Sequence, residues 1–411
     1  MVKLTLENIS KRLTEDVIDR SFKMKTKSKD SVKSIAVTRA APAGEGLISA
    51  VYRIHVTGSC YKTSFVAKGL VGDLLLRQTL RCTKFFEREV MFFAKILPQF
   101  IEVQKSSGAK ENIQHNIPIC YANHIGDGDD YILIEDLSES SCEAIAKPTK
   151  KQRDLTLQAL AHMHAVSIAL RITKPAVFSE LANKLTELYY NDENRVWYAK
   201  YLQNAIDIDK YIMREFEEES SVYLKKFIDL VDNDVYGQLI ELVATPKDNP
   251  VMNHGDAWLP NFLCSNQRGV ALDFQLFRCA SLATDLSYYL ALCGNLCLTK
   301  EHFLEAVKVY YDYLDHYLSD MGLNTSEIFS WEQLWMELKK YGRFGILAAL
   351  TSIPLLASSE KCDVGLSFED KFEDVERIPL EDLWPLSPIE GVEQKMGLVN
   401  AVRVAVDVGL F

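Results

Sequence analysis

Apolar positions change their period about a third of the way along the chain. Near the start, Leu4, Leu6, Ile9, Leu13 and Val17 recur at helical spacing through a polar, mixed-charge stretch, which predicts an amphipathic surface helix over residues 1–20. Residues 34–37, 50–56 and 61–70 read as strands, and the alanine- and glycine-rich stretch 40–46 joins the first two. Residues 77–97 then show a helical face of Leu80, Phe85, Phe86, Val90, Phe93 and Leu97, expected to stop at Pro98. Short apolar runs at 116–123 and 131–134 are of strand type. From Lys150 onward helical periodicity dominates, over 154–170, 179–190, 196–227 with interruptions, 282–298, 301–321 and 331–357, broken by a turn-and-strand block at 251–277. A strand-rich first third followed by a helical remainder predicts an α+β chain of two lobes, residues 1–136 and 137–411. The acidic stretch 359–383 reads as a solvated loop.

Composition narrows the class. With 411 residues, 48% hydrophobic and 25% charged, the chain is neither collagen-like, low-complexity nor disordered as a whole. Its 46 Lys and Arg against 57 Asp and Glu leave a formal net charge of −11, which argues against a nucleic-acid or anionic-membrane partner. The charge is unevenly spread: residues 20–95 carry 15 basic and 5 acidic side chains, so this stretch is +10 and the remainder −21. No apolar run suits a signal peptide, and the apolar run at 344–357 is too short to span a bilayer. Nine cysteines without a C-x-x-C pair suggest neither a disulfide framework nor a zinc site, and Cys293 with Cys297 reads as two small core residues. These features describe a reduced, cytoplasmic protein with no obligatory protein partner.

Three local signals carry chemistry. Gly44-Glu45-Gly46-Leu47-Ile48-Ser49 lies between two strands, where glycines would let backbone N–H groups approach phosphate oxygens. Ser49 stands where a third glycine would be expected, so alone the loop is a weak signal, and a plain flexible hairpin fits it as well. Lys68 sits inside the apolar strand Phe65-Val66-Ala67, where an ammonium is costly without a partner. Glu87 and Glu89 on the following helix both qualify, and Glu89 continues the periodic face of Phe86, Val90 and Phe93. The most specific block is His254-Gly255-Asp256-Ala257-Trp258-Leu259-Pro260-Asn261 followed by Asp273-Phe274-Gln275. Its spacing, H-x-D-x-x-x-x-N and then D-F-x, is the one phosphoryl transfer uses: a carboxylate for the hydroxyl proton and two hard oxygen ligands for magnesium. Asp256 supplies the first, Asn261 and Asp273 the second. A hydrolase with Asp256 and Asp273 as paired carboxylates would leave Lys68, Asn261 and the glycine loop unexplained. His162 and His164, two apart on a helix, cannot share a face, so a metal pair is not expected. His254 is expected to hold the loop of Asp256 by hydrogen bonding. Trp197, Tyr198, Tyr201, Trp331, Trp335 and Tyr341 fit core packing better than a pocket wall.

Residues 47–56, Phe86-x-x-Glu89, 131–137, Ala159-Leu160-Ala161-x-Met163-His164-Ala165, N-H-G-D-x-W-x-x-N and D-F-Q together resemble the ecdysteroid kinase-like family, over about 34–356. That family groups with choline-kinase-like and aminoglycoside-phosphotransferase-like enzymes. The resemblance implies a two-lobed protein-kinase-like fold, with a small antiparallel-sheet lobe and a large helical lobe. It implies an ATP- and Mg2+-dependent small-molecule kinase acting on an alcohol hydroxyl, of an ecdysteroid or another lipophilic or xenobiotic alcohol. Gly44, Gly46 and Ser49 would then lie over the nucleotide phosphates, Lys68 would contact them held by Glu89, and backbone groups at Ile134, Glu135 and Asp136 would meet adenine. Gln275 replaces the glycine of a protein kinase's D-F-G, which argues against a protein substrate. Asp285 would be a structural carboxylate. A choline- or aminoglycoside-like kinase with a cationic substrate, and a nucleotide-binding pseudokinase module, remain the alternatives.

Overall fold

The computed structural model of the chain describes residues 4–40, 49–145, 147–293, 296–358, 372 and 375–411. Gly44 and Gly46 lie outside the described residues, and so does most of the acidic stretch. The chain divides into two compact units. The first comprises the described residues of Met1–Lys95, Ile117–Glu143 and Cys362–Ile378, and the second those of Ile96–Asn116, Ala144–Lys361 and Pro379–Phe411.

The first unit is built on five strands: β1 (Ser34–Arg39), β2 (Ser49–Thr57), β3 (Lys62–Leu70), β4 (Cys120–His124) and β5 (Tyr131–Glu135). They form one sheet in the order β1–β2–β3–β5–β4, every pairing antiparallel. Alternation decides its faces. Tyr52, Ile54, Phe65, Ala67, Tyr131 and Leu133 point one way into a buried cluster completed by Ile9, Leu13, Ile18 and Phe22. The intervening positions Val66, Lys68 and Ile132 point the other way, and Lys68 lies opposite Val51 and Ile132 in the register.

Helix α1 spans Glu15–Thr26, capped by the Thr14 side chain at its start. The amphipathic surface helix expected over residues 1–20 is therefore displaced: Ile9 and Leu13 precede the helix and are buried against the sheet. Tyr52 donates its hydroxyl hydrogen to the Asn8 carbonyl at 3.1 Å, and a Cβ at Gly69 would meet the Ile9 carbonyl oxygen at 2.5 Å. Helices α2 (Leu74–Thr79) and α3 (Cys82–Met91) follow, then a π-helical turn at Phe92–Ile96. The helical run does not end at Pro98. Helix α4 (Leu97–Ser107) continues beyond it, because proline in a first turn removes an N–H that has no intrahelical acceptor. Helix α4 packs against helix α5 (Lys150–Thr173) and so belongs to the second unit, not to the lobe ending at residue 136 in which the sequence reading placed it.

The second unit is helical around α5, which begins at a capping box of Thr149 and Gln152 and is buried over most of its length. Of the described helices it alone is long and apolar enough to cross a membrane, yet 78% of its apolar window is buried inside the protein. Helices α6 (Pro175–Ala182), α7 (Asp192–Phe216), α8 (Val222–Val231) and α9 (Val235–Val243) follow. After β6 (Glu143–Ala144), the remaining strands are three-residue pieces: β7 (Val251–Asn253), β8 (Phe262–Cys264), β9 (Gly269–Ala271) and β10 (Arg278–Ala280). Strands β7 and β10 pair antiparallel, as do β8 and β9. Helices α10 (Leu282–Ala291), α11 (Lys300–Asp320), α12 (Thr325–Ile328), α13 (Trp331–Tyr341) and α14 (Arg343–Ala357) complete the bulk of the unit. The end of the acidic stretch is not a solvated loop: Ile378, Leu380 and Leu383 are fully buried, and Leu380–Leu383 is helical.

Gly69→Ala is expected to destabilise the chain by about 1–3 kcal/mol, as overpacking of a filled core does. Urea unfolding measures it, and an unchanged midpoint would refute the close approach of Ile9 to β3.

Candidate active site

In the first unit the buried lysine has its partner. Lys68 Nζ donates to both carboxylate oxygens of Glu89, at 2.8 and 3.1 Å, with 10% and 4% of the two side chains exposed. The face of α3 made by Phe85, Phe86, Glu89 and Val90 is buried, whereas Glu87 is exposed. Ser49 opens β2 opposite Leu70. Ile134 is buried in β5, and the Glu135 N–H donates to the Ile119 carbonyl at 2.8 Å. Asp136 is occupied by structure: its carboxylate accepts from Arg53 and Ser64, each at 2.7 Å, and from the Ser138 hydroxyl at 2.7 Å. Burial pushes that carboxyl up, but these hydrogen bonds outweigh it and hold it below its ordinary value.

In the second unit two loops interlock. Strand β7 delivers His254, Gly255 and Asp256; β9 delivers Leu272 and Asp273. His254 joins them. The Asp256 N–H donates to His254 Nδ1 at 3.3 Å, so Nε2 carries the hydrogen that reaches the Leu272 carbonyl at 2.9 Å. Burial lowers the His254 pKa and favours this neutral form, against the pull of Asp285. The Leu272 N–H donates to the Asn261 carbonyl at 2.8 Å. Gly255 has φ +82°, and a Cβ there would lie 1.9 Å from the Leu276 carbonyl oxygen, so only glycine lets the two loops close on each other.

Beneath the loop lies Asp285, in the first turn of α10 and 1% exposed. One oxygen accepts the His254 N–H at 2.7 Å and the other the Gly255 N–H at 2.9 Å. His164 Nε2 is 3.2 Å from the first of these oxygens, and His164 Nδ1 is 2.7 Å from the Tyr310 hydroxyl. Burial raises the Asp285 pKa, but the His164 hydrogen bond and charge outweigh it, so the group stays below its ordinary value. His162 faces elsewhere, between Gln104 and Asn116, and burial pushes it down to about 3.

Asp256 itself is half-buried. Asn261 Nδ2 donates to its backbone oxygen at 3.0 Å and to its carboxylate at 2.8 Å. Burial and the charge of Asp273 push the Asp256 carboxyl up to about 7, against the Asn261 hydrogen bond and the charge of Arg278. Asp273 has φ 65° and ψ 68°, a left-handed conformation that costs an L-residue roughly 1–2 kcal/mol. It is held there by Leu272 on one side and the buried Phe274 on the other. The donor set suits a hard cation: Asp273 offers a carboxylate, and Asn261, with its nitrogen turned to Asp256, offers its carbonyl oxygen.

Tyr198 and Tyr201 are core residues, as their spacing predicts, but they belong to an aromatic cluster of the same unit that sequence reasoning missed. Tyr190 meets Tyr189, Tyr198, Tyr236 and Phe344 with ring centroids 4.9–6.2 Å apart, and Tyr288 meets Phe344 at 6.0 Å. Tyr201 joins through Tyr198, while Trp331 and Trp335 pack elsewhere, with Tyr311 and Phe303. Into this cluster runs Arg278, over the Phe344 ring at 5.1 Å, with Nη1 3.3 Å from Glu187. Burial pushes the Tyr190 and Tyr288 hydroxyls well above their ordinary values, and the Asp256 charge adds to the effect on Tyr288. The one signal in the sequence was an arginine inside the otherwise apolar and small-residue run 276–283.

The model of the ecdysteroid kinase-like family matches residues 43–323, well over half of the chain. The chain belongs to the ecdysteroid kinase-like family. Membership carries a class of enzyme with it: a small-molecule phosphotransferase acting on an alcohol group. No curated protein matches the chain. Among solved structures it is similar to a choline kinase from Cryptosporidium parvum, at 12% identity, covering 92% of this chain and 91% of that one, with a TM-score of 0.41. An ethanolamine kinase from Plasmodium vivax gives 12% identity, 91% and 83% coverage and a TM-score of 0.38. A spectinomycin phosphotransferase solved with ADP and spectinomycin gives 12%, 93% and 94%, and 0.36. At these scores the likenesses add nothing to what the family match and the geometry carry.

If the Asp285 carboxylate anchors the loop of this ecdysteroid kinase-like chain, Asp285→Asn should cost about 3–5 kcal/mol at pH 7. A carboxyl held below its unfolded value contributes fully above the unfolded pKa and loses its contribution as pH falls through the folded one. The gap between variant and parent should therefore persist down to about pH 4, the ordinary carboxyl range, and narrow only below it, in urea unfolding at pH 7 and about pH 2.5. An equal gap at both would exclude a charged anchor.

Proposed function

We propose that the chain is an ATP- and magnesium-dependent kinase that transfers the γ-phosphate to a hydroxyl of a neutral, lipophilic alcohol, an ecdysteroid or a dietary or xenobiotic compound among them. The observation that carries this reading is Asp256: half-buried, clamped by Asn261, set beside Asp273, with a carboxyl at about 7. A base is most useful when its pKa lies near working pH, since it is then largely ionised and still basic enough to take a proton.

In this reading the acceptor hydroxyl donates its hydrogen to the Asp256 carboxylate, which orients the oxygen and receives the proton as the bond to phosphorus forms. The His254 clamp fixes the Asp256 backbone, and the Asn261 amide fixes its carboxylate. Asn261 and Asp273 would hold magnesium, which when bound supplies neutralising charge at the phosphate oxygens. Lys68, oriented by Glu89, would place its ammonium on the phosphates, with Gly44, Gly46 and Ser49 offering backbone N–H groups, and backbone groups at Ile134, Glu135 and Asp136 other than the Glu135 N–H, which the Ile119 carbonyl holds, would take adenine.

The neutral acceptor is supported by charge. An aromatic cluster with a free carboxylate would suit a cationic substrate. Here the aromatic cluster already holds a cation, Arg278, and the neighbouring carboxylate of Glu187 is spent on it. A choline- or aminoglycoside-like substrate would meet like charge.

A thermal-shift measurement with ATP, with and without magnesium, alongside ADP release over a panel of alcohols, tests the reading directly. Stabilisation by nucleotide and turnover of neutral alcohols are expected; no stabilisation would sink it, and turnover of cationic acceptors alone would overturn the substrate class. Asp256→Asn should keep nucleotide binding and lose turnover by about a thousandfold or more. Asp273→Asn should weaken the magnesium-dependent part of nucleotide binding. The Asp256 carboxyl at about 7 is that of the metal-free chain; magnesium at Asp273 would offset one cause of the rise, so turnover should climb with pH to a plateau that begins below about 7 and moves to lower pH as magnesium is raised. A plateau that does not move with magnesium would remove the coupling of Asp256 to Asp273. A carboxyl raised by folding costs stability above its unfolded pKa, so Asp256→Asn should also melt higher than the parent at pH 8.

A further inference from the structure

Arg278 is a buried charge that phosphoryl transfer as described does not use. It is 1% exposed. Its Nη1 reaches Glu187, but among the described residues its Nε and Nη2 are buried without a hydrogen-bond partner. Across the β7–β10 ladder it stands opposite Asn253. Asn253 Nδ2 is engaged by the Ser281 carbonyl and the Thr284 hydroxyl, while its Oδ1 is also buried and unpartnered among the described residues. Side chains opposite one another in an antiparallel pair share a face, their Cβ atoms about 5 Å apart. Two unmet donors and one unmet acceptor therefore belong to side chains on one face of this ladder, and Asn253 is three residues before Asp256.

Buried polar groups are rarely left dry, because each forfeits its hydrogen bonds to water and gains nothing in exchange. Either a trapped water or a ligand oxygen meets these. Three features favour a ligand. The Arg278 charge reaches the Asp256 carboxyl, the acceptor base, from the strand paired with β7. The guanidinium lies over the Phe344 ring, on which Tyr190 and Tyr288 pack, so its surroundings are aromatic. Glu187, the ion-pair partner of Arg278, is half-buried, so the pair borders the surface.

A guanidinium only donates, so its partner must accept. Glu187 already balances its charge, so a second anion would be in excess. We infer that Arg278, with Glu187 as counter-ion, is a specificity-determining residue that takes a carbonyl or ether oxygen carried by the acceptor alcohol at a distance from the hydroxyl that Asp256 addresses. This rests on the phosphotransfer reading for Asp256.

The test uses the full chain and three matched acceptors: cyclohexanol, 4-hydroxycyclohexanone and 4-hydroxycyclohexanecarboxylate. Each is followed by ADP release with magnesium and ATP, and by calorimetric binding without nucleotide. The parent should favour the hydroxyketone over cyclohexanol by at least about tenfold in kcat/KM and in affinity, since a site built to hydrogen-bond rejects an analogue lacking the group. Arg278→Met should bring that ratio close to one, and Arg278→Lys should restore part of it. Glu187→Gln keeps an acceptor for the Tyr189 and Tyr190 N–H groups, removes the counter-charge and should move preference about tenfold toward the hydroxycarboxylate. It serves also as the independent variant should Arg278→Met not fold. The same ratio in parent and Arg278→Met, an absence of preference in the parent, or no shift in Glu187→Gln would each overturn the subsite and leave a structural water as its occupant. A chain that fails to bind nucleotide sinks the phosphotransfer reading instead, while the calorimetric ratios still decide the subsite.

Discussion

The arrangement of the second unit turns on one carboxylate, Asp285, buried under the backbone amides of His254 and Gly255. A buried anion is costly unless its lone pairs are filled, and here two N–H groups and His164 fill them. The consequence is positional. Strand β7 ends where Asp285 receives it, and the next residue is Asp256. Because Asp285 stands in the first turn of α10, capped by Ser281, its place is set by a helix start and not by a loop. His164 brings α5 to the same carboxylate, and Tyr310 brings α11 to His164. Three helices thus fix the backbone from which the base projects.

The same unit pushes two carboxyls in opposite directions. Asp285 is more deeply buried, yet it stays below its ordinary value because donors surround it. Asp256 has one side-chain donor, Asn261, so burial, joined by the negative charges of Asp273 and Asp285, raises it to about 7. The anchor's charge therefore helps tune the base. Separating the pKa values of neighbouring acids by their surroundings lets one act as a fixed dipole sink and the other exchange protons near neutrality.

What the sequence disclosed was short in range. H-G-D, its asparagine and D-F-Q are local spacings, and Glu89 could be chosen over Glu87 because a helical face has a period. The five strands were legible for the same reason, since alternation within each strand declares its buried side. The helix past Pro98 was misread because a proline stop signal is identical to a proline in a first turn, and only tertiary packing against α5 distinguishes them. Arg278, Glu187 and the tyrosines come from α7, α9, α10, β10 and the loop before α7, so no window on the sequence contains them together. His164 shows in the sequence only as one of two histidines that cannot share a helix face. Its role depends on Asp285, 121 residues away.

The charge asymmetry that stands out in the sequence is also reduced by folding. Residues 20–95 are strongly basic as a window, but a window is not a unit. Lys23 pairs with Asp19, Lys25 with Glu139 and Arg53 with Asp136, all acids outside the counted stretch and inside the first unit. Whatever each pair adds to stability, it cancels field. A polyanion approaching this unit therefore meets far less than ten positive charges. Lys68 stands apart on different grounds. Its ammonium is almost wholly withdrawn from solvent, and its carboxylate partner is held in place by the helix behind it. Salt screens such a pair far less than it screens the surface lysines. If a nucleotide is held through charge in this unit, the position of one buried lysine matters more than the sum over the stretch that contains it.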